Sequence, residues 1–180
     1  MDLLARYRNV EIILCDVDGV LTDGRIFLDN HGIETKAFHV RDGLAVRLWK
    51  RTGRSMAWIT QRHSRIVEIR AAELGVDLLR QGVNDKLAAS WEVLAELGYS
   101  ADQAAYLGDD LPDLPVFREV AFAAAVADAA EEVRAAAHYV TRAPGGRGAL
   151  REVVELLLRS GREWESVISA YNGRVPTGER

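Results

Sequence analysis

Short apolar runs alternate along the chain with segments in which apolar residues recur at helical spacing. The apolar runs predict six β-strands, at about 11–15, 56–60, 76–82, 104–110, 121–126 and 138–141. The segments between them predict helices at about 42–50, 64–74 and 84–97, a short one after Pro112, and one from about 148. This alternation is typical of an α/β fold with a doubly wound, Rossmann-like and mostly parallel sheet.

One segment interrupts the alternation. Residues 25–38, RIFLDNHGIETKAF, place two short apolar stretches on either side of the turn-forming sequence DNHG. This pattern predicts a β-hairpin inserted between the first strand and the first helix. A hairpin at this position suits a lid over a site or a contact between subunits.

The length and composition of the chain indicate one compact domain. Its 180 residues are 48% hydrophobic and 28% charged, which is ordinary for a globular protein. We therefore interpret residues 1–180 as a single domain with a core at about 10–160 and a loose tail at about 171–180. No apolar run is long enough to span a membrane, and MDLLARYRNVEII lacks the ordered regions of a secretory signal, so we expect a cytoplasmic protein.

Charge and cysteine content narrow the function further. The net charge is −4, with acids and bases mixed along the chain, which does not favour a nucleic-acid-binding protein. The only cysteine, Cys15, lies inside the first apolar run. It allows no internal disulfide and no zinc site, and this position favours a buried core thiol.

Polar and charged residues gather where the predicted strands end. In a doubly wound sheet, ligands bind beyond the carboxyl ends of the strands, where the strand order reverses. The residues at those ends, or at the start of the helix that follows, are Asp16, Asp18, Thr60, Lys86, Asp109 and Asp110. Carboxylates this close repel one another unless a cation neutralises them, and Mg²⁺ is a divalent ion that prefers such oxygen ligands.

This set of residues suits phosphoryl transfer. A carboxylate such as Asp16 can attack phosphorus and form an acyl phosphate, which divides hydrolysis into two displacements. Asp18 can protonate the leaving alcohol and then deprotonate the attacking water. Thr60 and Lys86 can hold the transferring oxygens while Mg²⁺ offsets negative charge. Each residue alone also fits a turn, a cap or a solvated surface, so it is their joint placement at one sheet edge that favours catalysis.

Four motifs in order resemble those of haloacid-dehalogenase-superfamily phosphatases. They are DVDGVLTDG at 16–24, WIT at 58–60, NDKLAA at 84–89 and YLGDDLPD at 106–113. The resemblance covers about 10–160 and implies that Asp16 is the nucleophile and Asp18 the general acid and base. It further implies that Thr60 and Lys86 bind the phosphate. Mg²⁺ would be bound by Asp16, by Asp109 and by Asp18 through its backbone carbonyl.

The two places where members of this superfamily insert a cap domain are short. The first gap holds only the predicted hairpin and one helix, and the second, 61–83, holds one helix and one strand. The chain therefore resembles the capless subfamily of 3-deoxy-D-manno-octulosonate 8-phosphate phosphatases, which assemble as tetramers whose neighbouring subunits close each other's sites. The subfamily signatures are KAFHVRDG at 36–43, VADA at 126–129 and TRAPGGRGALRE at 141–152.

The resemblance also implies a binding site for an acidic sugar phosphate. Besides Asp18 and Lys86, the implied substrate contacts are His39, Val40, Arg41, Asp42, Gly43, Arg47, Arg62 and Arg70. The planar fork of arginine suits both a carboxylate and a phosphate. Arg47 and Arg70 fit a solvated helix face as the alternative, and His39 can contribute through its backbone alone.

Two local features leave alternatives open. The segment PGGRG at 144–148 either caps the last helix or leads the tail to a neighbouring site, with Arg147 supplying a cation. In the second motif Gln61 stands where the family usually has glycine. A positive φ at that position would now be costly.

The implied activity is Mg²⁺-dependent hydrolysis of 3-deoxy-D-manno-octulosonate 8-phosphate for lipopolysaccharide sugar synthesis. One alternative is a phosphatase of a nonulosonate 9-phosphate of the sialic acid or KDN type. Arg62 favours the eight-carbon acid, because the nine-carbon relatives tend not to keep an arginine there. A second alternative is an inactive oligomeric scaffold, but the intact Asp16, Asp18, Lys86 and Asp109 speak against it.

Overall fold

Six parallel strands form the central sheet of the computed structural model, which describes residues 8–173. They are β1 (Ile12–Cys15), β4 (Ser55–Ile59), β5 (Leu78–Arg80), β6 (Ala104–Gly108), β7 (Phe122–Ala125) and β8 (Tyr139–Val140). Two further strands, β2 (Phe27–Leu28) and β3 (Glu34–Thr35), pair only with each other. The predicted α/β fold with a parallel sheet is confirmed.

The helices connect the strands of the sheet. Those with both ends inside residues 8–173 are α1 (Val40–Arg51), α2 (Arg65–Leu74), α3 (Lys86–Leu97), α4 (Leu114–Phe117), α5 (Glu131–Ala136), α6 (Ala149–Ser160) and α7 (Trp164–Tyr171). Short 3₁₀ turns at Ala101–Gln103 and Leu111–Asp113 precede β6 and α4. Across the described part of the chain, no helix combines the length and apolar character needed to cross a bilayer.

The strand order places a cleft beside β1. Across the sheet the order is β5, β4, β1, β6, β7, β8, so the chain builds one half outward from β1 and then returns to build the other. The order reverses between β1 and β6, whose residues Cys15 and Leu107 are in register. Side chains that follow these two strands therefore face the crevice in which doubly wound sheets bind ligands.

Burial of β1 makes it a rigid base for the residues that follow it. All four of its residues are completely buried, as strands covered on both faces of a parallel sheet must be. Cys15 is a free, buried thiol, as predicted. Because the whole strand lies in the core, the chain that leaves it has a fixed origin and direction.

The predicted hairpin is present and exposes apolar side chains. Asp29 closes its turn, because its Oδ1 accepts hydrogen bonds of 2.8 Å from the backbone N–H groups of His31 and Ile33. Leu28 and Ile33 are each 63% exposed, and Phe27 is about half exposed. An exposed apolar hairpin is a candidate contact surface.

The gaps on either side of β4 hold no cap domain. The chain from β1 to β4 forms only the hairpin and α1, and the chain from β4 to β6 forms α2, β5, α3 and a short 3₁₀ turn. The capless architecture predicted from the motif spacing is thus confirmed for residues 8–173.

The C-terminal region differs from the sequence prediction. The single helix expected from about 148 is divided, because α6 ends at Ser160 and α7 begins at Trp164. Gly161 and Arg162 form the break, and Arg162 has a positive φ of 61°. The short helix α5 was also not predicted, since six residues carry too little periodicity to detect. Of the predicted loose tail, 174–180 lie outside the described residues.

Candidate active site

A cavity of about 130 Å³ lies at the carboxyl ends of β1, β4 and β6. Its walls are formed by Asp16, Asp18, Thr60, Gln61, Arg62, Lys86, Asp109, Asp110 and Pro112. The structure therefore brings together all six residues that the strand ends had singled out.

Asp16 is fixed at the centre of this cavity. It directly follows β1, and its backbone N–H donates a 3.0 Å hydrogen bond to the carbonyl of Leu107 in β6. Its side chain is almost completely buried. Asp16 is thus held between the two strands at which the sheet order reverses.

Lys86 lies between two buried carboxylates. It is the first residue of α3, whose N-cap Asp85 accepts hydrogen bonds from the backbone N–H groups of Leu87 and Ala88. The Lys86 ammonium lies 3.0 Å from Asp16 Oδ1 and 2.6 Å from Asp113 Oδ1. Burial opposes the charge of Lys86, but the two carboxylates outweigh it and raise its pKa above the usual value.

Asp113 is a functional residue that the sequence analysis missed. It is completely buried, and its Oδ1 also accepts a 2.8 Å hydrogen bond from the hydroxyl of Tyr106. Its Oδ2 accepts from the backbone N–H groups of Asp109 and Asp110 at 2.9 and 3.2 Å. The signal was available, because the motif YLGDDLPD contains both Tyr106 and Asp113.

Three carboxylates of the site are close enough to share one cation. Single oxygens of Asp16, Asp109 and Asp113 all lie within 4.8 Å of one another. Both oxygens of Asp113 already accept two donors each, as described above. Asp109 Oδ1, in contrast, is buried without a hydrogen-bond partner among residues 8–173. The residues therefore fit a divalent cation held by Asp16 and Asp109, with Asp113 occupied in positioning Lys86.

A glycine lets Asp109 approach the loop after β1. Gly19 has a φ of 94°, and a Cβ placed there would lie 2.0 Å from Asp109 Oδ2. Any side chain at this position would collide with the carboxylate. The glycine of the DVDGVLTDG motif therefore keeps the two sides of the cation site together.

Two acids of the site, Asp16 and Asp109, hold protons more tightly than free carboxylates do. Burial raises the pKa of Asp16 to about 6, although the charge of Lys86 opposes the shift. Burial and the negative charge of Asp16 raise the pKa of Asp109 to about 9. The cause is confinement of like charges away from water, which a bound divalent cation relieves.

Asp18 points its carboxylate to a different set of partners. Its Oδ1 accepts hydrogen bonds from the ammonium of Lys36 and, at 3.4 Å, from the hydroxyl of Thr22. Its Oδ2 lies 3.7 Å from Arg62 Nε. The Asp18 side chain is therefore engaged by cations, while its role in proton transfer and its backbone carbonyl as a metal ligand stay predictions.

Glu34 and Lys36 connect the hairpin to the site, and neither was singled out from the sequence. Glu34 Oε1 lies 3.3 Å from Lys36 Nζ and 2.9 Å from Arg62 Nη2, and its Oε2 accepts a 2.6 Å hydrogen bond from Ser64. Burial opposes ionisation of Glu34, but these hydrogen bonds and the charge of Lys36 hold its pKa below the usual value. Lys36 opens the KAFHVRDG signature, which was the available signal.

Thr60 and Gln61 line the cavity after β4. The Thr60 hydroxyl is buried and accepts a 3.4 Å hydrogen bond from the backbone N–H of Arg62. Among the described residues other than glycine, only Arg162 has a positive φ, so Gln61 fits without backbone strain. Replacing the family glycine thus costs no strain at this position.

Of the predicted substrate contacts other than Asp18 and Lys86, the structure brings only Arg62 to the cavity wall. Arg70 stacks on Phe38, with its guanidinium 5.8 Å from the ring centre, and pairs with Glu73. Arg47 is exposed on α1, 4.0 Å from the same glutamate.

The predicted contacts at the start of α1 also lie away from the cavity wall. The backbone N–H of Arg41 donates to His39, which caps α1. Val40 is 77% exposed, and Gly43 packs against Arg70.

Asp42 is engaged in packing rather than at the cavity. Its two oxygens accept hydrogen bonds of 3.1 and 2.9 Å from the backbone N–H groups of Gly148 and Arg151. These groups are unpaired donors at the start of α6, so Asp42 caps that helix from another element. The role predicted for Asp42 in substrate binding stays a prediction.

The PGGRG segment packs against the loop that follows Asp18. Gly148 is the N-cap of α6, which confirms the capping interpretation. In addition, Gly146 donates a 2.8 Å backbone hydrogen bond to Val20, and a Cβ on Gly145 would lie 1.8 Å from the carbonyl oxygen of Gly19. The glycines therefore allow two backbones to touch. The contribution of Arg147 to a neighbouring site stays a prediction.

The strand order reverses beside a buried aspartate, a charged lysine and two carboxylates that could hold a cation. This combination of fold and site is that of a doubly wound α/β phosphohydrolase. A family model described as haloacid dehalogenase-like hydrolase matches residues 50–148. The chain belongs to this family.

Phosphatases from two other organisms are similar to this chain over most of its length. The chain is 48% identical over 157 residues to 3-deoxy-D-manno-octulosonate 8-phosphate phosphatase KdsC of Yersinia pestis, covering 87% of this chain and 84% of the relative. The crystal structure of the Yersinia pestis phosphatase has a TM-score of 0.89 at 46% identity, covering 91% and 88%. A Moraxella catarrhalis phosphatase of the same name, solved with magnesium ion, phosphate ion and KDO, has a TM-score of 0.91 at 40% identity, covering 94% and 97%.

Proposed function

We propose that the protein is a Mg²⁺-dependent phosphatase that hydrolyses 3-deoxy-D-manno-octulosonate 8-phosphate to the free sugar acid and inorganic phosphate. The observation that carries this proposal is the buried Asp16, whose carboxylate lies 3.0 Å from the Lys86 ammonium. Beside it, an oxygen of Asp109 has no hydrogen-bond partner within the described residues. The relatives named for this substrate support the choice of sugar acid.

Asp16 is the nucleophile in this proposal. Its carboxylate oxygen forms a bond to phosphorus as the bond from phosphorus to the sugar oxygen breaks, which gives an aspartyl phosphate. The charged Lys86 and the hydroxyl of Thr60 bind the oxygens of the transferring group and stabilise the charge that develops on them. Water then attacks the aspartyl phosphate, which releases phosphate and restores Asp16.

Asp18 carries the protons in this proposal. It donates a proton to the departing sugar oxygen and then accepts one from the attacking water. The carboxylates of Asp16 and Asp109 and the backbone carbonyl of Asp18 would hold Mg²⁺. When bound, the ion offsets the negative charge of the acidic site and the phosphate.

Arg62 recognises the carboxylate of the sugar acid in this proposal. Among residues 8–173 it is the only arginine on the cavity wall, its side chain is 42% exposed, and it pairs with Glu34 on the hairpin. A guanidinium can exchange one carboxylate partner for another without losing charge pairing. Arg62 is therefore placed to leave Glu34 for the substrate.

A homotetramer completes the site in this proposal. The exposed hairpin side chains Phe27, Leu28 and Ile33 supply an apolar contact surface. Arg47 and Arg70 lie outside the walls of their own cavity, so they suit a role in a neighbouring cavity. We include the cytoplasm in the proposal, since a chain with one cysteine gains no disulfide from an oxidising compartment.

A phosphate-release assay with matched sugar acids tests the substrate. We expect turnover of the eight-carbon 8-phosphate to exceed that of a nonulosonate 9-phosphate, to stop with a chelator and to return with Mg²⁺. Asp16→Asn should lower kcat by about 10⁴-fold or more while the thermal transition is retained. A preference for the nine-carbon acid would replace the substrate, and no hydrolysis of any phosphomonoester would favour the scaffold alternative.

Mixed oligomers test the shared site. Asp16→Asn and Arg70→Ala subunits should each be impaired alone. When they are coexpressed, some interfaces pair an intact nucleophile with an intact neighbouring arginine, so activity should exceed the sum of the separate variants. Light scattering gives the subunit number, and a monomeric protein with full activity would contradict the shared site.

A further inference from the structure

Lys36 is a buried ammonium with no exposure to solvent. It follows β3 of the hairpin, and its side chain is 0% exposed. Burying a charge is costly unless the charge is paired and hydrogen-bonded. Lys36 meets this condition through Asp18 Oδ1, to which it donates, and through Glu34 Oε1 at 3.3 Å.

Glu34 ties this lysine to the loop after β4. It accepts from Arg62 Nη2 at 2.9 Å and from the hydroxyl of Ser64 at 2.6 Å. Two cations and two carboxylates, Lys36, Arg62, Glu34 and Asp18, thus form a ring of balanced charge. The ring joins three segments, so the position of each side chain depends on the others.

Asp18 is held asymmetrically by this ring. Its Oδ1 is bonded by Lys36 and Thr22, whereas its Oδ2 is buried without a hydrogen bond among residues 8–173 and lies 3.7 Å from Arg62 Nε. Asp18 also lines the cavity in which the phosphate ester would react. One oxygen is therefore anchored, and the other accepts no hydrogen bond from the described residues.

We propose that Lys36 is a positioning residue, which anchors one oxygen of Asp18 so that the other delivers its proton to the leaving oxygen of the ester. The inference rests on the proposed function, in which Asp18 is the general acid. The bond from phosphorus to the leaving oxygen breaks, its electron pair stays on that oxygen, and the proton from Asp18 completes the alcohol. Lys36 neither touches the substrate nor gives up a proton.

The leaving group of the substrate distinguishes positioning from a structural role. An alkyl phosphate needs a proton on its leaving oxygen, whereas p-nitrophenyl phosphate releases a stable phenolate that does not. Because Arg62 belongs to the same ring, both substrates must lack a carboxylate, so glycerol phosphate serves as the alkyl ester. The value of kcat/KM reports the step in which the leaving group departs.

We expect Lys36→Met to lower kcat/KM about 100-fold for glycerol phosphate and less than about 3-fold for p-nitrophenyl phosphate. Lys36→Arg, which keeps a cation, should recover most of the lost rate. Lys50→Met is the matched control, since Lys50 also pairs with an aspartate, but its partner Asp77 lies outside the cavity walls, whereas Asp18 lines them. This control should leave kcat/KM unchanged for both substrates.

Asp18→Asn separates failure of this inference from failure of the proposed function. If Asp18→Asn lowers kcat/KM equally for glycerol phosphate and p-nitrophenyl phosphate, Asp18 is not the general acid and the proposed mechanism fails. If Asp18→Asn is selective for the alkyl ester but Lys36→Met is not, the positioning role of Lys36 is overturned. Should Lys36→Met not fold, Glu34→Gln takes its place: a selective loss on glycerol phosphate supports the inference and an equal loss on both esters overturns it.

Discussion

Two lysines of the active site each bridge two carboxylates, yet their surroundings differ. Lys86 lies between Asp16 and Asp113 at the start of α3. Lys36 lies between Asp18 and Glu34 beside the hairpin. The first cluster belongs to the central sheet and the helix that follows it, whereas the second depends on an insertion whose apolar side chains are exposed.

The two clusters suit different tasks, one the chemical step and the other the alignment of the substrate. Asp113 receives four donors and sits where the strand order reverses, so Lys86 has one available position. Arg62 and Glu34, in contrast, are partly exposed. In the proposed function, the inner cluster (Asp16, Lys86, Asp109 and Asp113) would provide a fixed field for phosphoryl transfer. The outer cluster (Asp18, Glu34, Lys36 and Arg62) would provide recognition and proton delivery.

Of the substitutions that separate the two clusters, replacing Asp113 should lower kcat and stability the most. Asp113→Asn weakens the charge pairing of Lys86, so we expect kcat for phosphate release to fall about 100-fold. The free energy of unfolding should fall by roughly 1–3 kcal/mol, because a buried hydrogen-bond network loses its charged acceptor. Kinetics below the thermal transition, together with calorimetry, measure both quantities.

The exposed Asp102, just before β6, provides the control for this change. Asp102→Asn should leave kcat and the free energy of unfolding near their original values. If Asp113→Asn lowers stability but keeps kcat within about 3-fold of the original, Asp113 only supports the fold, and the inner cluster would not depend on it for positioning Lys86.

Removing Arg62 should produce a smaller and more selective effect. Arg62→Ala should lower kcat/KM for the carboxylate-bearing sugar phosphate about 10-fold to 100-fold, mainly through KM, because one charge-assisted contact of about 1.5–3 kcal/mol is lost. For p-nitrophenyl phosphate, which has no carboxylate, the change should stay within about 3-fold. Equal losses on the two substrates would assign Arg62 to the inner cluster instead.

The two clusters were unequally visible in the sequence. Asp16, Thr60 and Asp109 were predicted because strand ends in a parallel sheet meet at one edge, and a short motif is enough to find them. The motif YLGDDLPD contains Asp113, but its role depends on the donors that face it from α3 and β6, Lys86 among them, and linear spacing does not predict that contact. Its neighbour Asp109 was found only because it directly follows a strand.

The outer cluster was missed for a related reason. Glu34 and Lys36 lie in a hairpin whose strands are two residues long, and its orientation relative to Asp18 is set by packing rather than by periodicity. Asp42 shows the same limit, since its partners Gly148 and Arg151 lie more than a hundred positions away in the chain. The roles of these three residues therefore depend on contacts between distant segments, which short motifs do not predict.

The acids of the inner cluster should couple stability to pH and to Mg²⁺. The pKa of Asp109 is raised to about 9 in the folded protein, whereas a free aspartate has a pKa of about 4. The folded, metal-free protein therefore keeps a proton that the unfolded chain has released. Its free energy of unfolding should decrease as the pH rises from about 4 through about 9, because the raised pKa stabilises only the protonated form.

Added Mg²⁺ should oppose this loss, since it replaces the proton between Asp16 and Asp109. We expect the increase in Tm on adding Mg²⁺ to be larger at about pH 8.5 than at about pH 6, by a few degrees. Calorimetry with a chelator and with Mg²⁺ at both pH values measures it, and Asp109→Asn should remove most of the difference. An Mg²⁺ effect on Tm that is the same at both pH values would show that the proton and the cation do not compete for the inner cluster.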